Sequence, residues 1–342
     1  MAQINKPSDY FNTVLYTGNA TARSITGVGF QPDWVWIKKR SEIGNHRLVD
    51  SIRGATKELL SDATDAEATT TGQVTSFDSD GFSLGTSNST NKNLITFASW
   101  NWKAGTTSGL SGGTITPTAY SINTTSGFGI YKYTGNSTAG ANIAHGLGKI
   151  PKMIIVKRTD STPNWQIYHQ AMGNGKWLEF TTGAAQTATN RWNDTSPTNT
   201  LFYLGTDSDV NSSSGTYIAY VFCDVPGYSK FGSYVGNGNA DGTFVYTGFK
   251  PAFVIQKVTN TTAQWNMHDS ARDPFNQVNR LLYPSNSNAE ENNISDQMDF
   301  FSNGFKFRNT GAASNGSGNS YIYMAFASEP LVGTNNTPAT AR

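Results

Sequence analysis

The chain has 342 residues, of which 14% are charged and 12% aromatic, with a net charge of +1. A near-neutral chain without a basic stripe argues against a nucleic-acid partner, and a single cysteine excludes an internal disulfide framework. No stretch approaches the roughly 18 apolar residues of a membrane span, which argues against membrane insertion. Low charge combined with many glycine, threonine, serine, asparagine and aromatic residues predicts an all-β protein.

Residues 1–10 show no hydrophobic pattern and are predicted to form an N-terminal arm. After them, one pattern occurs three times: a glycine-containing turn, a proline, a short apolar run and a closing lysine. Its copies occupy residues 27–38, 145–157 and 246–257. Proline interrupts strand pairing and fixes the entry into a strand. A short apolar run is typical of a strand buried on both faces, so the pattern predicts three such strands.

Other parts of the sequence recur with the same period. An aromatic residue, a threonine or valine, a glycine and an asparagine precede each copy, and an aromatic-rich strand closes each unit. The three prolines lie about 100–120 residues apart, which is the size of a whole domain and too long for a solenoid repeat. The sequence therefore predicts three tandem antiparallel β-sandwich domains with a similar, jelly-roll-like fold. The predicted segments are the arm (1–10), unit 1 (11–105), a linker (106–113), unit 2 (114–227), unit 3 (228–329) and a C-terminal tail (330–342).

Several connections also carry local signals. The glycine- and serine-rich linker is predicted to be flexible, whereas residues 224–227 form a tight link between units 2 and 3. Residues 56–68 contain alanine, glutamate and leucine and are predicted to form one short helix or a loop. Residues 236–242 are predicted to form a hairpin turn. The tail is predicted to be frayed or to lie along a partner.

The histidines and carboxylates give no pattern typical of an enzyme. His46 and His268 are interpreted as equivalent residues ahead of two Asp-Ser-x-Arg sequences, at residues 50–53 and 269–272. Neighbouring residues on a strand point to opposite faces, so adjacent Asp and Ser do not suit a catalytic triad. They predict hydrogen-bond and ion-pair clusters at strand ends instead, and His145 is predicted to be a turn residue. No catalytic residue, metal ligand or cofactor is predicted.

Eight tryptophans raise the question of sugar binding. The pairs Trp34/Trp36 and Trp100/Trp102 are each two residues apart, so each pair lies on one sheet face, where packing in the core is expected. Trp177 and Trp192 lie in less regular, polar surroundings and are predicted to face solvent. Together with Tyr168, they are the predicted glycan-binding residues.

Four phrases in the sequence resemble a known group of proteins. Residues 30–38, 48–54, 77–85 and 100–102 are similar to the uncharacterised repeat-domain virion proteins of marine tailed phages, and residues 230–253 are similar as well. The resemblance covers nearly the whole chain. It implies a virion component of the tail-fibre, tail-tip or head-decoration class, assembled in the host cytoplasm, and it implies no catalytic residues.

These observations favour a non-enzymatic virion structural protein, a tail fibre or appendage that contacts host surface polysaccharide. Other virion proteins are the expected partners. A homo-oligomer is expected, with a trimer favoured by the resemblance, although three units in one chain could also mimic a threefold in a monomer. The alternatives are a head-decoration or adaptor protein with a purely structural role and, third, a polysaccharide-degrading tail enzyme.

Overall fold

The computed structural model describes residues 4–333 and 338–339. Residues 1–3 of the predicted arm, and residues 334–337 and 340–342 of the predicted tail, lie outside the described residues. The described chain consists mainly of antiparallel strands, so the all-β prediction is confirmed. Its helical elements are α1 (Asn88–Asn91), α2 (Ser208–Asn211) and 3-10 turns at Pro7–Asp9, Gln170–Met172 and Ile294–Asp296.

Each unit contributes nine strands to the described structure. Unit 1 contains β1 (Phe11–Thr17), β2 (Arg23–Ile25), β3 (Trp34–Lys39), β4 (Arg47–Asp50), β5 (Lys57–Leu60), β6 (Ala68–Thr69), β7 (Val74–Asp78), β8 (Gly81–Leu84) and β9 (Thr96–Trp102). Unit 2 contains β10 (Ala119–Asn123), β11 (Phe128–Thr134), β12 (Ala141–Ala144), β13 (Pro151–Arg158), β14 (Gln166–His169), β15 (Lys176–Trp177), β16 (Gln186–Thr187), β17 (Leu201–Leu204) and β18 (Thr216–Cys223). Unit 3 contains β19 (Ser229–Val235), β20 (Phe244–Tyr246), β21 (Phe249–Val258), β22 (Asn266–Asp269), β23 (Arg280–Leu281), β24 (Glu291–Asn292), β25 (Met298–Phe301), β26 (Gly304–Phe307) and β27 (Ser320–Pro330).

The same strand order recurs in the three units. Each unit has a larger sheet that faces the other units, which we call its inner sheet, and a smaller sheet on the other side, which we call its outer sheet. The inner sheets have the orders β1-β9-β3-β4-β5-β6, β10-β11-β18-β13-β14 and β19-β27-β21-β22. The outer sheets have the orders β2-β8-β7, β12-β17 and β20-β26-β25. In every inner sheet, the strand that contains the apolar run therefore lies between the last strand of the unit and the next strand along the chain. The prediction that proline precedes this strand holds only in unit 1, because Pro151 begins β13 and Pro251 lies within β21, where both are paired.

The strand that contains each apolar run is buried on both faces, as the sequence predicts. In β3, Val35 and Ile37 pack against the outer sheet of unit 1, in a core that also contains Phe82. Trp34 and Trp36 point to the opposite face and are fully buried there. Alternate residues of one strand therefore supply two different cores.

The second of these cores is shared by all three units. We call it the central core, and its aromatic rings touch across every pair of units. Trp34 of unit 1 stacks on Tyr220 of unit 2 at 4.4 Å between ring centroids. Phe326 of unit 3 lies 4.9 Å from Phe11 of unit 1 and 6.2 Å from Phe222 of unit 2. The inner sheets thus bury their second faces against one another.

Two local predictions are wrong. Residues 57–60, predicted as helix or loop, form β5, which pairs with β4. Residues 236–242 do not close a hairpin, because β19 belongs to the inner sheet and β20 to the outer sheet of unit 3. Both errors concern tertiary pairing, which overrides local propensity.

The segments at the edges of the units make specific contacts. Ile4, in the predicted arm, is buried in the central core. In the predicted linker, Thr106 pairs with Ile122, and the backbone N–H of Leu110 donates to the hydroxyl of Tyr120 at 2.8 Å. These contacts attach both segments to the units beside them. No helix in the described ranges is long and apolar enough to cross a membrane.

Candidate functional site

The three predicted glycan-binding residues lie together, but they are not exposed. The rings of Tyr168 and Trp192 are 5.9 Å apart, and the Arg191 guanidinium lies 4.3 Å from the ring centroid of Trp177. Trp177 is 6% exposed, Trp192 1% and Tyr168 2%. The prediction that the tryptophans face solvent is therefore wrong. Both indoles belong to the core of unit 2, which their polar neighbours in the sequence do not indicate.

The units contact one another at three equivalent junctions. At junction A, residues 61–67 of unit 1 lie on unit 2; at junction B, residues 180–185 of unit 2 lie on unit 3; at junction C, residues 284–290 of unit 3 lie on unit 1. The same backbone hydrogen bond ends each segment, from Glu67 N–H to Thr159 O at 2.8 Å, from Ala185 N–H to Thr259 O at 2.8 Å, and from Glu290 N–H to Arg40 O at 2.7 Å. The junctions therefore form a closed ring in which unit 3 returns to unit 1.

The closing lysines of the repeated pattern lie at these junctions. Lys157 donates to Thr64 O of unit 1 at 3.0 Å, and Lys257 donates to Thr182 O of unit 2 at 3.1 Å. Lys38 of unit 1 donates to Ser287 O of unit 3 at 3.4 Å, which is the equivalent contact at junction C. All three side chains are buried, and burial lowers the pKa of each ammonium group to about 8. The sequence shows the repeated lysine, but only the fold shows that its partner belongs to another unit.

The Asp-Ser-x-Arg sequence of unit 1 forms the predicted ion-pair cluster. Arg53 Nε is 2.5 Å from Asp50 Oδ2, and the same oxygen accepts a hydrogen bond from the Tyr220 hydroxyl at 2.7 Å. Arg53 also pairs with Glu67 at 3.4 Å. Since Tyr220 belongs to unit 2, the cluster joins two units at junction A.

The third unit repeats this arrangement at junction C. Asp269 pairs with Arg272 and accepts a hydrogen bond from Trp100 Nε1 of unit 1 at 3.1 Å. Arg272 also pairs with Glu290 at 3.2 Å, and Glu290 accepts two hydrogen bonds of 2.8 Å from Arg40. The cluster prediction is confirmed for both sequences, and in both the charges are buried and mutually paired.

His46 and His268 are not equivalent residues, contrary to the sequence interpretation. Strand pairing places Asp50 opposite Trp34 and Asp269 opposite Phe253, so His268 corresponds to the residue just before Asp50. His46 lies further upstream and accepts a hydrogen bond from Trp36 Nε1 at 2.8 Å. Burial lowers the pKa of both imidazoles.

His145 and Cys223 have structural roles. His145 is buried in its turn, where its Nδ1 accepts a hydrogen bond from the backbone N–H of Leu147 at 3.2 Å. Cys223 is a buried free thiol. Within the described ranges, no group of three or more His, Cys, Asp or Glu side chains could hold a metal ion.

An open cleft between the end of unit 2, unit 3 and the start of the C-terminal tail combines an exposed aromatic ring with polar groups. The cleft has a volume of about 430 Å³, and its lining includes Asp224, Lys230, Tyr246 and Val332. Tyr246 is 53% exposed, and the Lys230 ammonium lies 5.3 Å from its ring centroid. Burial raises the pKa of the Asp224 carboxyl group. A half-exposed aromatic ring beside an ammonium group and a carboxyl group is suited to a sugar.

The sequence carried a weak signal for this cleft. Phe244 and Tyr246 are two residues apart on β20, so they share a face of the outer sheet, and Phe244 is also exposed. Buried Val245 lies between them. An aromatic-apolar-aromatic alternation with the aromatic residues on the solvent face distinguishes this strand, but the sequence alone does not show which face is solvated.

Together, the fold and the junctions define an all-β protein whose inner antiparallel sheets share one central core and are joined by a ring of buried polar contacts. The chain belongs to the family described as Domain of unknown function (DUF7483), which matches residues 6–330. No curated protein and no solved structure matches the chain.

Proposed function

We propose that this protein is a non-enzymatic structural protein of a tailed-phage virion, a tail fibre or appendage that contacts host surface glycans. The resemblance of its repeated phrases supports the phage assignment, with other virion proteins as partners and assembly in the host cytoplasm. The Tyr246 cleft is the observation that supports glycan contact. Aromatic rings stack on apolar sugar faces, while neighbouring polar side chains bind the hydroxyl groups.

The proposal also concerns architecture. Units 1, 2 and 3 act as three tandem β-sandwich domains that replace a trimer of separate chains. The recurring strand order, the separate core of each unit and the closed ring of junctions support this interpretation. Sedimentation of the purified chain should then give the mass of one chain. A mass of three chains would instead favour the trimer that the resemblance implies.

Replacement of Tyr246 tests glycan contact. Tyr246→Ala should reduce adsorption of virions that carry the variant to host cells by about tenfold, because one aromatic stacking contact contributes on the order of 1 kcal/mol and several copies act together on a virion. Its melting temperature should not change, since the ring is half exposed. Phe275→Ala, which removes another exposed ring, is the matched control and should leave adsorption unaltered.

Three outcomes would count against the proposal. Equal adsorption of Tyr246→Ala and wild type would remove the glycan role of the cleft. Location of the protein in the head lattice, rather than at the distal end of a tail appendage, would favour the decoration alternative; electron cryo-microscopy of the virion distinguishes the two. Release of reducing sugar from host capsular polysaccharide by the purified protein would contradict a non-enzymatic role.

A further inference from the structure

The three junctions differ in charge at two equivalent positions. Junction A contains the pair Arg53–Glu67, and junction C contains the pair Arg272–Glu290. The corresponding residues at junction B are Met172 and Ala185, neither of which carries a charge. Junction B therefore lacks the ion pair that the other two junctions have. Both of the uncharged residues at these positions belong to unit 2.

Strand register establishes that these positions are equivalent. Arg53 lies three residues after Asp50, which pairs with the first buried residue of β3; Met172 lies three residues after His169, which pairs with Met153 of β13. The acidic position is fixed by the short β5/β6 and β15/β16 pairs. Lys57 pairs with Thr69 and Lys176 with Thr187, and the acidic position lies two residues before each threonine.

A cleft of about 590 Å³ lies at junction B. Met172 and Ala185 both line it, as does Lys176. Five of its other lining residues carry a side-chain hydroxyl or amide group without an aromatic ring: Thr187, Ser233, Thr259, Asn260 and Ser320. This volume is within the roughly 300–1,000 Å³ range of small-molecule sites, and the lining is polar.

The cation that neighbours the missing carboxylate is retained. At junction A, Lys57 Nζ lies 3.7 Å from Glu67 Oε1 and donates to Thr69 Oγ1 at 2.7 Å. Lys176 occupies the equivalent place at junction B, where it has no carboxylate partner within 4.0 Å among the described residues. Lys176 therefore brings to the lining of the cleft a positive charge without a carboxylate partner in the described ranges.

We propose that the cleft at junction B binds a sugar acid, whose carboxylate takes the place that Glu67 and Glu290 fill at the other junctions. Lys176 pairs with the carboxylate, and the surrounding hydroxyl and amide groups bind the sugar hydroxyls. A charge-assisted hydrogen bond of this kind is about twice as strong as a neutral one. The choice of a sugar rests on the proposed glycan-binding function, whereas the requirement for a carboxylate rests on the junctions alone.

Calorimetric titration of the full chain tests the proposal with three probes: D-glucuronate, D-glucose and acetate. Glucuronate should bind saturably and at least about tenfold more tightly than either of the others. Equal binding of glucuronate and glucose would overturn the carboxylate requirement. Equal binding of glucuronate and acetate would overturn the assignment to a sugar, and no binding of glucuronate would overturn the site.

Two variants locate the binding. Ala185→Glu installs the carboxylate found at the other junctions and should abolish glucuronate binding without lowering the melting temperature. Lys176→Gln should weaken binding by about tenfold. Lys57→Gln is the matched control, because that lysine is already paired with Glu67, and it should leave binding unchanged. Unchanged binding in Ala185→Glu would place the ligand elsewhere and refute the proposal.

The proposals for the two glycan sites can be refuted independently of each other. Tyr246→Ala alters the Tyr246 cleft and should leave glucuronate binding at junction B intact. Normal glucuronate binding together with unreduced adsorption of Tyr246→Ala would refute the proposed role of the Tyr246 cleft alone. Absent glucuronate binding together with reduced adsorption of Tyr246→Ala would refute the junction site alone.

Discussion

His268 is fully buried, and neither of its ring nitrogens has a hydrogen-bond partner in the described structure. Burial, together with the smaller effect of the nearby Arg272 guanidinium, lowers the pKa of this imidazole to about 3. The imidazole is therefore neutral in the folded protein throughout the range in which an exposed histidine takes up a proton, near pH 6.5.

This difference makes stability depend on pH. Between pH 3 and pH 6.5 the unfolded chain binds a proton at residue 268 that the folded chain does not bind, so stability is lost as the pH falls through this window. His268→Phe removes the effect. The free energy of unfolding of the variant, relative to wild type, should rise by on the order of 2–3 kcal/mol between pH 7.5 and pH 4.5.

Urea denaturation at the two pH values measures this change. Burial raises the pKa of the Asp62 carboxyl to about 6, which acts in the opposite direction, but it does so in wild type and variant alike and cancels in the difference. A gap between the two proteins that stays constant with pH would contradict the buried, neutral state of His268.

Some residue roles follow from sequence because the chemistry restricts the residue type. A side chain at Gly18 would place its Cβ 2.1 Å from Lys92 O, so the turn requires glycine. The Asn91 side chain accepts from Asn19 N–H at 3.0 Å and donates to Gly85 O at 2.9 Å. The recurrence of such turns can therefore be recognised from the sequence. The burial of Trp177 cannot be predicted from the sequence, because it depends on which segments fold over unit 2.

At the scale of single elements, the apolar run after each proline predicted its strand correctly, whereas residues 57–60 were wrongly predicted. β5 has a helix-favouring sequence, and only its pairing with β4 makes it a strand. The run in β3 predicted burial on both faces, but the second covering surface belongs to other units. One chain segment carries no information about a surface that is distant in sequence.

The closing lysines give an element-level prediction. Lys157 also donates to Pro163 O at 2.7 Å, so it holds two segments against the end of β13. Lys157→Met should leave both carbonyl groups without this partner and cost about 1–3 kcal/mol of unfolding free energy. The junction A segment 61–67 should then open more readily.

Hydrogen exchange at the amide of Glu67 measures this opening, because that N–H donates to Thr159 O across the junction. Its exchange should speed up by more than the global loss of stability explains. The amide of Ala185 at junction B is the internal control. Equal acceleration at both amides would show that Lys157 contributes to overall stability and does not specifically hold junction A.

At the scale of the whole molecule, the central core makes each unit depend on the others. Every unit has its own core between its inner and outer sheets, yet the second face of its inner sheet packs in the central core that it shares with the other units. Exposure of that face would place large aromatic side chains, such as Trp34 and Phe253, in water. Burial of an aromatic side chain of this size contributes roughly 1.5–3 kcal/mol, so separation of the units is strongly disfavoured.

The full chain should therefore unfold in one cooperative transition, although its length exceeds that of ordinary two-state domains. Trp34→Ala should lower the unfolding free energy of this single transition by about 3–5 kcal/mol, because the indole contacts both Trp102 and Tyr220 and leaves a cavity between two units. Ile43→Ala, at an exposed position, should have little effect. Scanning calorimetry measures both, and a separate early transition for unit 1 in Trp34→Ala would show that the units are independently stable and that the central core does not couple them.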